Sequence, residues 1–238
     1  MRRAFASLRA PVITSRNNQT LKLVRKLASR RWRDKLGLFV AEGEDLVEAA
    51  RAARIEPVEL LVAGETVESQ LLAEVSELAH PPRVIGVFRR ADLPGSPSSD
   101  AGLALWHVGD PGNVGTLMRS ADAFGAFLAL SEGCADPVGP KALRASAGAV
   151  FRVATCPFEA ARGRRVALVA RAGRPLADVQ LDGPVTFVLG AEREGLPAHL
   201  VDSCDEVASI TTTSASESLN IAAAGAIALY ERFRRTNT

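Results

Sequence analysis

Val185-Thr-Phe-Val-Leu-Gly-Ala-Glu-Arg-Glu-Gly195 decides how this 238-residue chain folds. Its first five residues are apolar or β-branched without alternation, the pattern of a strand buried on both faces. The glycines that follow let the backbone turn sharply and come close to a ligand, and a helix can start near Pro197. Similar apolar runs occupy 103–108, 127–130, 166–170 and 207–210. Helix patterns at 113–124, 141–147 and 217–235 lie between or after them. Continuous apolar strands alternating with helices imply an α/β domain whose parallel sheet is covered on both sides.

The first ninety residues have shorter elements. Over 19–35, Leu21, Leu23, Val24 and Leu27 fall at helical spacing with basic residues between them, which predicts one helix. Strands are expected at 36–41, 58–62 and 84–88, and helices at 44–53 and 67–79. This is a second, smaller α/β layer structure. Leu93-Pro-Gly-Ser-Pro-Ser-Ser-Asp100 has no periodicity and reads as a linker. The expected organisation is therefore a domain over 1–92, a linker over 93–101 and a domain over 102–238.

A net charge of +2 hides an asymmetry: residues 1–35 carry +10 and the other 203 sum to −8. A run that includes Arg2, Arg3, Arg9, Arg16, Lys22, Arg25, Arg30, Arg31 and Arg33 is either a solvated helix face or a phosphate-binding surface. Trp32, inside it, can stack on a base or anchor the helix in the core. Cys134, Cys156 and Cys204 are odd in number and match no metal spacing, which suggests free thiols in a reducing compartment. His80, His107 and His199 stand equally alone, so no metal is expected. No apolar run reaches membrane length and no signal-peptide core appears, so the expected location is cytoplasmic.

Three segments lie at strand-to-helix junctions: Asp110-Pro-Gly-Asn-Val-Gly-Thr-Leu-Met-Arg119, Leu189-Gly-Ala-Glu-Arg-Glu-Gly-Leu196 and Ser216-Glu-Ser-Leu-Asn220. In the first, Asn113 suits a helix N-cap. Arg119 follows near the apolar stripe of Leu117, Ala121 and Phe124, where a cation needs a polar partner. A phosphate or a carboxylate serves, since arginine binds either bidentately. In the second, Glu192 sits between glycines where open α/β sheets bind ligands. Its spacing lacks the middle glycine of a dinucleotide fingerprint, and no phosphate-binding Gly-x4-Gly-Lys loop occurs anywhere. In the third, Ile210 ends a strand, Ser216 and Glu217 suit helix capping, and a small-residue run after Asn220 lets the last helix pack closely.

In that order, the three segments resemble the signature motifs of the SpoU/TrmH branch of the SPOUT methyltransferases. The resemblance implies transfer of a methyl group from S-adenosylmethionine to a ribose 2′-hydroxyl of RNA. It also implies a homodimer formed through the C-terminal domain, and a deep trefoil knot from about Val185 to the last helix. It assigns Asn113, Arg119, Glu192, Ser218 and Asn220 to catalysis, with Gly190, Ala191, Gly195, Ile210 and Leu219 holding the donor. Arg119 would position the 2′-oxygen and assist its deprotonation, either itself or, because arginine stays protonated, through a substrate phosphate that relays the proton. Ile-Thr-Thr stands at 210–212 where relatives often have Ile-Pro-Met. Lys141-Ala-Leu-Arg-Ala-Ser-Ala-Gly148 resembles a further helix of the family, where Arg144 binds RNA phosphate or forms a surface ion pair. Residues 13–18 and 39–43 resemble the family's L30e-like substrate-binding domain, which favours 23S ribosomal RNA as partner. Transfer RNA, or RNA binding without catalysis, are the alternatives.

Overall fold

The computed structural model describes residues 11–213 and 218–237. Arg2, Arg3 and Arg9 of the basic run, and the expected capping residues Ser216 and Glu217, lie outside them. The chain divides into two compact units, one ending at Asp92 and one running from Leu93.

The first unit is a three-stranded antiparallel sheet in the order β1 (Leu38–Glu42), β3 (Val84–Arg89), β2 (Glu59–Val62). Helices α1 (Gln19–Leu27) and α4 (Ser69–Val75) cover one face. Leu21, Val24, Leu27, Leu71, Leu72 and Val75 pack there on Leu61, Ile85 and Val87. Residues of opposite parity on β3 face α3 (Glu44–Ala52), where Phe39 and Phe88, directly paired across the strands, stack at 5.7 Å. The expected helix over 19–35 is two helices, α1 and α2 (Arg30–Leu36), with Ser29 extended between them. The Arg33 guanidinium explains the break. It is buried and donates to the carbonyls of Leu27 at 2.9 Å and Ala28 at 2.7 Å, satisfying acceptors that the end of α1 leaves open. Likewise α4 is shorter than expected, because the Glu42 carboxylate accepts bonds from the Ser76 hydroxyl and the Glu77 amide just beyond its end.

The second unit is the expected parallel α/β sheet. In chain order its elements are β4 (Ala101–Leu105), α5 (Pro111–Ala123), β5 (Phe127–Leu130), α6 (Pro140–Ser146) and β6 (Thr155–Pro157). Then come β7 (Arg164–Leu168), β8 (Arg174–Pro175), β9 (Val185–Leu189), α7 (Ala198–Asp202), β10 (Glu206–Ser209) and α8 (Ile221–Thr236). Seven strands lie in the order β6-β5-β4-β9-β7-β10-β8, all neighbours parallel. All five residues of β4 and of β9 are buried, as their unbroken apolar runs require. The sheet grows outward from β4 to β6, then restarts on the other side, and β9 is inserted between β4 and β7. After β10, on the far side of β7, the chain returns so that α8 packs on α5, β4 and β9. Helices α5 and α8 run side by side in one direction: Asn113 bonds to Asn220, Leu117 meets Gly225, and Phe124 meets Tyr230 and Phe233. Among the described residues, no helix is long and apolar enough to cross a membrane.

Candidate active site

The carboxyl ends of β7, β9 and β10 surround a cavity of ≈ 450 Å³. Three chain segments build its walls. The turn after β9 closes on itself: Gly195 N–H donates to the Ala191 carbonyl at 2.8 Å, and Gly195 has φ +67°. A Cβ on Gly190 would overlap the Gly195 carbonyl and the Leu196 nitrogen, so only glycine lets this loop fold flat. Opposite it, Ile210 and Thr212 follow β10, and Ser218, Leu219 and Asn220 lead into α8. The third wall is Leu168-Val169-Ala170 at the end of β7.

All five residues expected to hold the donor line this cavity, as do Glu192, Ser218 and Asn220. Asn113 is joined to them by hydrogen bonds. Its expected capping role belongs instead to Asp110, whose carboxylate accepts from the Asn113 N–H at 2.8 Å while Pro111 starts the helix. That leaves the Asn113 side chain free to face Glu192, and its Nδ2 donates to Glu192 Oε1 at 2.8 Å. Asn220 caps α8, its Oδ1 accepting from the N–H groups of Ala222 at 2.9 Å and Ala223 at 3.3 Å. Because that oxygen is committed as an acceptor, the Asn220 Nδ2 is what meets Asn113 Oδ1, at 3.1 Å. Both amides are thereby oriented, and the helix end fixes which way the Glu192 carboxylate is held.

Arg119 is placed differently. It is exposed on α5, about 9 Å along the helix axis from Asn113, and is not part of the cavity wall. It has no ion-pair partner among the described residues, so the helix stripe near it does not force one. Arg144 is likewise exposed on α6 and unpaired among the described residues. In the first unit, Lys22, Arg25, Arg30 and Arg31 are exposed and Arg16 is paired with Glu74. Arg33 corrects the expectation of a surface cation: it is 5 % exposed and structural. Trp32 is half-buried, with the Lys26 and Lys35 ammoniums each 5.1 Å from its ring centre.

The sequence reading missed the β7 wall and Thr212. At the β7 end it is the chain's place beside β9 that matters, and only strand order reveals that. Among the described residues no His, Cys, Asp and Glu group could hold a metal. None of the three cysteines is in a disulfide, and burial pushes the thiols of Cys156 and Cys204 up, away from the thiolate form a nucleophile needs.

Residues 101–230 match the SpoU rRNA Methylase family model, and residues 18–90 match the model of an MRM3-like substrate binding domain. The 23S rRNA (guanosine(2553)-2′-O)-methyltransferase RlmP of Bacillus subtilis is 30% identical, over 92% of this chain and 97% of its own length. An uncharacterized tRNA/rRNA methyltransferase of Synechocystis sp. is 29% identical, over 94% of this chain and 93% of that protein. The AdoMet-bound rRNA methyltransferase from Sinorhizobium meliloti superposes with a TM-score of 0.82 at 28% identity, covering 94% of this chain and 98% of that one.

Proposed function

The chain belongs to the SpoU rRNA methylase family and is an RNA methyltransferase, and from that premise we propose that it methylates a ribose 2′-hydroxyl of 23S ribosomal RNA with S-adenosylmethionine as donor. The single observation that carries the reading is the chain of side-chain bonds from Asn220 through Asn113 to Glu192, at the edge of the cavity. A hydroxyl that must be aligned and deprotonated needs fixed polar groups beside a donor pocket, and this arrangement supplies them.

The cavity suits the donor by its own construction. Its size is that of a small-molecule site. Leu168, Leu189, Ile210 and Leu219 offer an apolar slot for a flat base, and main-chain groups at 168–170 and 189–191 are at hand for its polar edge. Bound there, S-adenosylmethionine supplies an electrophilic methyl carbon. The chain's residues do the rest. Alignment of the attacking oxygen is worth several kcal/mol. Glu192, with one oxygen held by Asn113, keeps lone pairs to accept from the ribose hydroxyl. Ser218 and Asn220 enclose the same edge. Arg119 stays protonated; it grips the phosphate next to the target ribose, and that phosphate takes the proton.

Two further parts of the proposal concern architecture. Arg119 lies outside the cavity wall, and α8 carries exposed Ile227, Tyr230 and Phe233 on a stripe toward the end away from Asn220. Both features support a homodimer whose second copy seats on α5 and α8. The return of α8 across β9 to α5 supports the C-terminal knot.

The test is incubation with labelled S-adenosylmethionine and separate ribosomal and transfer RNA pools that lack their native methylations, followed by nucleoside mass analysis. A 2′-O-methylnucleoside in the 23S pool is the expected result. The same product in the transfer RNA pool alone would reassign the substrate. Donor binding without incorporation in either pool would make the chain an RNA binder that does not catalyse.

A further inference from the structure

We propose that Trp32, with Lys26 and Lys35, is a nucleotide platform on the N-terminal unit that stacks one splayed base of single-stranded RNA and holds its phosphates. The inference rests on the RNA reading above and gives the substrate-binding unit a specific contact.

Helices α1 and α2 meet at the Ser29 corner, which brings the end of α1 close to the middle of α2. Lys26 and Lys35 both end up 5.1 Å from the centre of the Trp32 ring. A buried anchor would be sealed in the core; Trp32 is half-buried, and both lysines beside it are exposed. Two ammoniums on one ring repel each other, and among the described residues neither is in an ion pair with an acid. Asp34, the one acid of α1 and α2, is engaged by Arg30 at 3.7 Å and Arg90 at 3.1 Å. Lys22, Lys26, Arg31 and Lys35 have no ion pair among the described residues. The local surplus of positive charge around a part-exposed aromatic ring is therefore built in. Its chemical complement is a flat π-system that carries negative charge within reach of both lysines, and a nucleotide is that object.

The corner is also rigid. Arg33, locked onto the Leu27 and Ala28 carbonyls, fixes the angle between the helices and with it the spacing of Lys26 and Trp32. Little ordering remains to be done on binding. When a phosphate draws each ammonium off the ring, the face is freed for a base. Bases inside an A-form duplex are stacked on their neighbours, so the platform selects loops, bulges and ends.

The experiment titrates the full chain with a short single-stranded oligoadenylate, with a duplex RNA of equal length, and with unmethylated 23S RNA. Variants Trp32→Leu and Trp32→Tyr are compared: the first keeps apolar bulk without a π-face, the second keeps a face. The unmodified chain should bind the single strand more tightly than the duplex. Trp32→Leu should weaken single-strand binding by roughly 5- to 100-fold, with melting temperature and donor binding unchanged, and Trp32→Tyr should recover most of the loss. Replacing Lys26 and Lys35 with alanine together should lower the salt slope by about 1.4, roughly 0.7 for each phosphate contact. A folded Trp32→Leu chain that binds the single strand as the unmodified one does would overturn the platform and leave the methyltransferase reading intact. An unmodified chain that neither binds nor methylates any of these RNAs would sink both.

Discussion

Two amides orient one carboxylate in this site, and the order of dependence can be tested one residue at a time. Asn220→Asp keeps a good helix cap, because a carboxylate oxygen still accepts from the Ala222 and Ala223 N–H groups. What it removes is the donor to Asn113 Oδ1. The Asn113 amide then loses its enforced orientation, and Glu192 loses its anchor. Methyl transfer should fall roughly 100-fold, the typical cost of a misplaced reacting group, while the helix and the melting temperature stay near normal. Equal turnover in single-turnover assays would refute the relay. In the other unit, Arg33→Ala should destabilise by about 2–3 kcal/mol in denaturant melts, since it strips charged hydrogen bonds from two carbonyls. Arg31→Ala, exposed and without an ion pair among the described residues, should leave stability alone and lower the salt dependence of RNA binding by about 0.7. The contrast separates two arginines that look alike in the chain. Sequence patterning places both in one basic run; it cannot say which guanidinium turns inward, because that depends on a break in the helix that the periodicity of Leu21, Val24 and Leu27 does not announce.

Among elements, the contact of α5 with α6 is the one that sets Asn113 in place. Gly115, one turn of α5 beyond its start, lies against the backbone of α6. A Cβ there would overlap the Ala142 carbonyl and stand 2.6 Å from the Ala145 Cβ and 3.0 Å from the Ser146 nitrogen. Gly115→Ala gains about 1 kcal/mol of helix propensity. Against that stands overpacking at about 1–3 kcal/mol, and here the obstacle is backbone, which cannot rotate away. The clash should win. The variant should melt at a lower temperature and lose transfer activity because Asn113, two residues away, moves with the helix. An unchanged or raised melting temperature would show that α6 yields cheaply. The motif residues around this contact were legible because each falls where an apolar run gives way to a helix pattern. Two strands were not. Thr155-Cys-Pro157 and Arg174-Pro175 are short and end in proline, which marks the edges of sheets and has no periodicity to detect. The insertion of β9 between β4 and β7 was equally hidden, since an apolar run does not say which other run it pairs with and pairing between these strands is non-local. The five residues expected to hold the donor could be placed on the cavity wall without strand order, but the Leu168–Ala170 wall could not.

At the scale of the whole molecule, the exposed surface of α8 is the feature that a single chain leaves unexplained. Ile227, Tyr230 and Phe233 are 39%, 53% and 42% exposed at three-residue spacing, so they form one stripe. Phe124, the residue that caps the end of α5, joins them, its ring 6.1 Å from that of Tyr230 and 5.7 Å from that of Phe233. Single exposed apolar residues are ordinary, but a larger exposed apolar patch is the kind of surface that proteins use for association. Because α5 and α8 run in the same direction, the patch lies toward their far ends and Asn113 and Asn220 at their near ends, and exposed Arg119 lies on α5 between. A second copy seated on this face would therefore cover the patch and border the site. The unmodified chain should behave as a dimer in light scattering at micromolar concentration. Tyr230→Asp, which forces a charge into the seam, should give a folded monomer that binds donor more weakly and no longer transfers methyl. A monomeric unmodified chain with full activity would remove the dimer from the proposal. A Tyr230→Asp monomer that still turned over would mean that Arg119 reaches the RNA within its own chain, and that the patch serves assembly alone.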